Sequence, residues 1–351
     1  MEKYRIDQSK GMEIGLYSLG DHMANPLTNQ RISHQERIEQ IIELAKFSEE
    51  AGLDVFSLGE SHQEYFTSQA HTVILGAIAQ ATSKIKLASS ATVLSVHDPI
   101  RVYEDFATLD LISDGRMEIV AGRGSRVGAY YLLGYDVDDY EELFEEKLEL
   151  LTKINDGERI TWEGKFRAPL NNAEIIPQPK TGSLPIWRAV GGPPASAIKA
   201  GYAGIPMTLT TLGGPAVNFK VAVEAYREAL QRGGFEPTEM PVATTSLFYT
   251  ADTTQEALRE MYPHLNVGMQ RIRGGGYPKQ QFAQSTDYRD ALMVGSPEQI
   301  VEKLLYQYEL YGQQRFLAQI DFGGVPMDKL KKNIELIATK IMPEVKKHTK
   351  K

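Results

Sequence analysis

The sequence predicts an α/β protein of the (β/α)8 TIM-barrel class, and three observations carry that expectation. From residue 12 onward, short apolar runs alternate with segments of helical periodicity, the pattern of a parallel sheet wrapped by helices. Glycine clusters fall where the apolar runs stop, which places polar loops at the carboxyl ends of the strands, where barrels of this class carry their functional residues. The length of 351 residues suits one barrel with insertions, so residues 1–351 are read as a single domain.

Each element has its own signal. Met12 to Tyr17 reads as the first strand, followed by the polar loop Ser18 to Arg31. Ser33 and Glu36 form a capping box, Ile38, Ile41, Ile42 and Ala45 recur at helical spacing, and Gly52 closes that helix. Asp54 to Gly59 is the second strand and runs into Glu60-Ser61-His62. Val73, Ile74, Ala77, Ile78 and Ala81 mark the next helix, and Ile85 to Leu94 the third strand. Its small residues, Ala88 to Thr92, suit either a planar ligand at the mouth or a crowded barrel interior. Asp98-Pro99 pairs an N-cap with proline at the first helical position, and the helix ends at Ser113-Asp114-Gly115. Met117 to Ala121 is the fourth strand, breaking into Gly122-Arg123-Gly124-Ser125, and Tyr140, Leu143, Phe144, Lys147, Leu148 and Leu151 follow as a helix.

Ile160 to Ser183 interrupts the alternation with short strand-like pieces, an insertion at the barrel rim. Leu184 to Val190 is the fifth strand and ends in Gly191-Gly192-Pro193-Pro194-Ala195-Ser196 at a helix start. Ile205 to Leu209 and Val242 to Tyr249 are the sixth and seventh strands. The segment Ala251 to Val294 is read as a long loop after strand 7, its stretch Arg271-Ile272-Arg273-Gly274-Gly275-Gly276-Tyr277-Pro278 too glycine-rich for regular structure and suited to a lid. Ser296-Pro297-Glu298-Gln299 caps a further helix, Arg315 to Asp321 is the eighth strand, and Leu330, Ile334, Ile337 and Ile341 line a closing helix.

Composition removes several function classes. A net charge of −8 argues against nucleic acid as the main partner. No apolar run approaches the roughly 18 residues of a membrane span, and the start lacks the apolar core of a signal peptide, so the expected location is the cytoplasm. The absence of cysteine excludes disulfides, thiolate metal sites and a cysteine nucleophile.

Two strand ends have the chemistry to hold a phosphate. Gly122 and Gly124 let the backbone approach an anion, Arg123 offers a two-pronged fork, and Ser125 adds a hydroxyl. Gly191, Gly192 and Ser196 repeat the theme at a helix N-terminus. The bland alternative for Arg123 is a rim arginine paired with a carboxylate. Glu60 and His62, just past the second strand, are either an acid–base pair at the mouth or a structural hydrogen-bonded pair; His97 reads as structural. The histidines show no HExxH or comparable spacing, so no catalytic metal is expected.

Taken in order, Leu58-Gly59-Glu60-Ser61-His62, Asp98-Pro99-Ile100-Arg101 through Asp114-Gly115-Arg116, Gly122-Arg123-Gly124-Ser125 and Val190-Gly191-Gly192-Pro193-Pro194 resemble the bacterial luciferase-like flavin monooxygenase family. The likeness continues through Thr161 to Phe166, Val294-Gly295-Ser296-Pro297 and Asp321-Phe322-Gly323-Gly324. The resemblance implies a barrel, usually dimeric, that binds FMN at its carboxyl-end mouth. It places Arg123, Gly124, Ser125, Gly191, Gly192 and Ser196 at the FMN phosphate, Ala91 and Thr92 beside the isoalloxazine ring, and Glu60 and His62 at the catalytic mouth. It also implies reduced flavin, often supplied by a separate NAD(P)H-dependent reductase, and O2 as co-substrate with a small organic molecule.

One departure qualifies that picture. Luciferases proper carry Glu-His-His after the second strand, whereas this chain has Glu60-Ser61-His62, and serine does not titrate near neutral pH. The expected activity is therefore a non-luminescent monooxygenase. Three alternatives stay open: a flavin or deazaflavin oxidoreductase that transfers hydride, a non-catalytic flavin-binding barrel, and a barrel acting on a phosphorylated metabolite without flavin.

Overall fold

The structure is a computed structural model and describes residues 1–157 and 159–351. Eight parallel strands close a ring: β1 (Glu13–Ser18), β2 (Val55–Leu58), β3 (Lys86–Ser89), β4 (Met117–Gly122), β5 (Ile186–Val190), β6 (Met207–Thr210), β7 (Val242–Thr250) and β8 (Arg315–Gln319). Neighbours in sequence are neighbours in the ring, and β1 closes it against β8 with Glu13 opposite Arg315 and Leu16 opposite Ala318. The barrel is thus the (β/α)8 fold that the alternation predicts.

Local chemistry sets the helices where the sequence places them. The Ser33 hydroxyl accepts from the Glu36 amide while the Glu36 carboxylate accepts from the Ser33 amide, and helix His34–Glu50 follows. Asp98 caps the Ile100 amide ahead of helix Pro99–Ile112. The apolar faces of these helices, with Ile41, Leu44, Tyr103, Phe106, Phe144 and Leu148, pack on the outward-facing strand residues Phe56, Leu87 and Ile119 in one continuous core. Tyr4 and Ile6 of the N-terminal segment plug the barrel's lower end against Trp187. Among the described residues no helix is long and apolar enough to cross a membrane.

Two elements differ from their sequence reading. The third strand ends at Ser89; the Ser90–Ala91 peptide is cis, and Thr92–Val93 forms a separate short strand paired to β4. The Glu60 carboxylate draws the chain aside here by accepting the Val93 amide at 2.8 Å. The segment after β7 is mostly helical rather than a loop. Helix Thr254–Arg273 is capped by Thr253 and takes in Arg271 to Arg273, because Ala257, Met261, Leu265, Gly268 and Met269 keep a buried face. It stops only at Gly274, in the left-handed conformation at φ 74°. A short helix, Lys279–Gln284, and a strand beside β7, Met293–Gly295, complete the segment. The rim insertion is an antiparallel pair, Arg159–Trp162 with Leu170–Glu174.

Candidate active site

A cavity of about 560 Å³ opens at the carboxyl ends of the strands. One wall is built around Glu60, the second residue after β2. Its side chain is fully buried, and it gathers three histidines from three different loops and helices. His62 Nε2 lies 2.5 Å and His97 Nε2 2.6 Å from Glu60 Oε1. His71, at the start of helix His71–Ala81, brings Nδ1 to 3.8 Å from Oε2 and sets Nε2 2.8 Å from the Thr92 hydroxyl.

Burial by itself would raise the Glu60 carboxyl. The hydrogen bonds from His62 and His97 overcome it, so Glu60 stays ionised far below the usual carboxylate range. An ionised carboxylate only accepts, so His62 and His97 donate through Nε2–H. Burial pushes His71 down to about 4 against the pull of Glu60, so His71 is neutral at pH 7. The wall therefore carries one fixed negative charge shared among imidazoles. Glu60 and His62 come together as their spacing suggests. His71 and His97 join them across long stretches of chain, and no local pattern announces it. The ligand atoms of Glu60, His62 and His97 lie within 4.8 Å of one another, a grouping that could also hold a metal ion, although the metal-free expectation was drawn from sequence spacing alone.

The adjoining wall is made by the ends of β4 and β5, paired through Val120 with Trp187 and Ala121 with Arg188. Gly122, Arg123, Gly124, Ser125 and Gly191 all face the cavity, as does Ala91. Gly122 must be glycine because a Cβ there would lie 2.8 Å from the Ala91 Cβ, and Gly124 sits at φ 81° beneath Val93. Arg123 lies over the Tyr140 ring at 5.3 Å and is ion-paired with Glu141. Lys199 bridges Glu141 and Glu145 at 3.0 Å each, and Glu145 takes both terminal nitrogens of Arg188, at 2.7 and 2.8 Å. Arg123, Lys199 and Arg188 thus join Glu141 and Glu145 in one chain of ion pairs behind this rim.

Three of the sequence-selected residues do not line the cavity. Thr92 is buried with its hydroxyl turned to His71. Ser196 is buried and its hydroxyl accepts from Arg188 Nε at 3.1 Å. Gly192 is exposed beside helix Pro194–Tyr202.

Residues that the sequence did not single out occupy the cavity floor and roof. Thr245 of β7 and Gln319 of β8 line it, and Thr245 Oγ1 and Gln319 Nε2 are buried without a hydrogen-bond partner among the described residues. Arg126 lines it too, with its Nε equally unpartnered. Buried polar atoms are ordinarily paired, so three orphans on one cavity mark a space shaped for a polar ligand.

Residues 12–314 match the family model described as luciferase-like monooxygenase. The flavin-dependent trigonelline monooxygenase, oxygenase component, of Acinetobacter baylyi is 23% identical over 93% of this chain and 94% of its own. Among solved structures, the oxygenating constituent of 3,6-diketocamphane monooxygenase from Pseudomonas putida, in complex with FMN, superposes with a TM-score of 0.76 at 20% identity, covering 95% of this chain and 98% of that one. An F420-dependent secondary alcohol dehydrogenase superposes at 0.72 and 18% identity, covering 95% and 99%. The structural likenesses establish the shared barrel, and the match over most of the chain establishes the lineage: this protein belongs to the luciferase-like monooxygenase family.

Proposed function

We propose that the protein is an FMN-dependent monooxygenase that uses reduced flavin and O2 on a small organic substrate. The observation that carries this reading is the meeting of two unlike walls in one cavity, the Glu60–His62 wall and the glycine-lined rim at Arg123. The residues present fit a flavin. Ala91 and Gly122 leave a flat, side-chain-poor surface, and Thr245 and Gln319 offer unspent polar atoms to a polar ring edge. The guanidinium of Arg123 and the side-chain-poor backbone beside it suit a phosphate held by Arg123, Gly124, Ser125 and Gly191, with Gly192 and Ser196 behind them at the helix start.

Reduced FMN, when bound, supplies the electrons that activate O2 for transfer of one oxygen atom. The chain's own residues supply placement and proton control. Glu60 fixes the His62 ring by accepting its Nε2–H, which leaves Nδ1 as the atom at which His62 takes up or returns a proton. His97 and the Val93 amide hold Glu60 ionised and immobile, so the imidazole does not turn away. Leu19, Leu212, Met269, Ile272 and Phe322 give the cavity an apolar lining that keeps bulk water from the reacting atoms. A flavin reductase as partner, and a second copy of the chain, belong to this same reading.

The test is an absorbance titration with oxidised and reduced FMN, followed by stopped-flow reoxidation of the bound reduced flavin by O2. FMN should bind, and His62→Ala should change the reoxidation rate roughly 100-fold or more while FMN affinity stays within a few fold. Preferential binding of a deazaflavin with hydride transfer and no oxygen uptake would replace this reading with the hydride-transfer one. Bound FMN with no turnover under any reductant would make the protein a binding barrel.

A further inference from the structure

The charged groups that line the cavity are Glu60, His62, Arg123, Arg126 and Arg273. Glu60 is engaged by His62 and His97 within the histidine cluster, and Arg123 is matched by Glu141. Arg126 has no carboxylate partner among the described residues. Its guanidinium lies 5.0 Å over the ring of the fully buried Phe66, and its Nε is buried without a partner among the described residues. Stacking on Phe66 fixes the plane of the fork and leaves its edge for a ligand.

The surroundings add to this charge. Tyr17 lines the same cavity, and burial holds its hydroxyl protonated well above neutral pH, with the Arg126 charge pulling the other way. A phenol that stays neutral is a donor beside the guanidinium. Arg273 brings a second guanidinium to the cavity's outer edge. No carboxylate other than the spent Glu60 faces the cavity among its lining residues. Next to these donors lie Leu19, Leu212, Met269, Ile272 and Phe322, room for an apolar body.

From this juxtaposition we infer that Arg126 is a substrate-specificity residue and that the substrate is a small amphipathic anion, a monocarboxylate whose charged end is held in the Arg126 fork while its apolar body lies on the hydrophobic wall. A carboxylate can accept two parallel hydrogen bonds from a planar two-pronged guanidinium, and the neighbouring apolar wall suits the body of a small carboxylic acid. The inference rests on the flavin reading only for the position of the cofactor; the anion site itself is a property of the chain.

The experiment compares matched acid and amide probes, benzoate with benzamide and hexanoate with hexanamide, by calorimetry on the full chain with and without saturating FMN. In the wild type the acid should bind at least tenfold tighter than its amide. Arg126→Met, which keeps the contact with Phe66, should erase that preference, and Arg126→Lys should retain part of it; FMN affinity should stay within twofold in both. Melting temperatures of the variants confirm that they are folded, as expected for a side chain without hydrogen bonds to lose. Equal binding of acid and amide, including no binding of either, overturns the inference, as does an unchanged preference in Arg126→Met. A tenfold loss of FMN affinity in Arg126→Met also overturns it, assigning Arg126 to the cofactor. If FMN itself fails to bind while the acid preference persists without it, the flavin reading falls and the anion site stands.

Discussion

The barrel holds an arginine over an aromatic ring at both ends, and the two ends treat it differently. At the floor, Arg315 of β8 donates Nε to Glu13 at 2.8 Å and its two terminal nitrogens to Glu118 at 2.7 and 3.0 Å, while lying 5.0 Å over the Trp187 ring. Trp187 Nε1 donates to the same Glu118 at 3.0 Å, and Lys86 pairs with Glu13. Burial would raise Glu118, and Arg315 more than reverses it. At the mouth, Arg126 lies over Phe66 in much the same way but has no carboxylate partner among the described residues, and there Thr245 Oγ1 and Gln319 Nε2 are likewise without a hydrogen-bond partner. A charge that the fold completes by itself is structural, because removing it would strand its partners. A polar group that the fold leaves incomplete, facing a cavity, is costly until something fills it. The same residue types therefore mark stability below and recognition above.

The comparison breaks first if the floor network proves dispensable. Glu118→Gln should destabilise the protein by about 3–5 kcal/mol, the usual result of stranding a buried arginine, in denaturant unfolding. A loss below about 1 kcal/mol would show that the two ends are not distinct.

The next effect lies at the mouth and depends on pH. The folded value of about 4 for His71 is below the 6.5 of the free imidazole, so the unfolded chain takes the proton first. Its contribution is complete above about pH 6.5 and is lost as pH falls toward 4, with a slope on the order of 1 kcal/mol per pH unit. His71→Gln should flatten that part of the stability profile; an unaltered slope would place the titrating group elsewhere.

Arg123→Ala should raise the FMN dissociation constant about tenfold, the scale of one charge-assisted pair, or about 1.4 kcal/mol. Its exposed pairing with Glu141 is worth at most about 1 kcal/mol, so the unfolding midpoint should move little. An unchanged flavin titration removes Arg123 from the phosphate site.

The smallest effect gives the sharpest contrast with the floor. Thr245→Val deletes an orphaned hydroxyl and should leave stability unchanged or raise it by about 1 kcal/mol, while weakening FMN binding. Lost stability together with intact FMN affinity would mean that the hydroxyl serves the fold.

Much of the barrel was legible in one dimension because its causes are local. The Ser33–Glu36 box and the Asp98-Pro99 cap are set by residues a few positions apart, and the alternation of apolar runs with helical periods needs no long-range information. The misread segment after β7 shows the limit. Glycines at 274 to 276 suggested irregular backbone back to Arg271, yet the buried face ending at Gly268 and Met269 carried the helix on to Arg273. The tertiary burial of one face outweighed the local signal.

The site divides along the same line. Glu60 and His62 are two residues apart, and the glycine-rich ends of β4 and β5 announce themselves, so sequence alone determined the barrel, its functional end and the pieces of two walls. Only the folded chain decided what those pieces do: that His97 reaches Glu60 from 37 residues away, that Thr92 and Ser196 turn to His71 and Arg188 instead of the cavity, and that Arg126 is left unmatched. Being unpartnered is a statement about which atoms are absent from a volume of space, and closing the ring of strands is what first defines that volume.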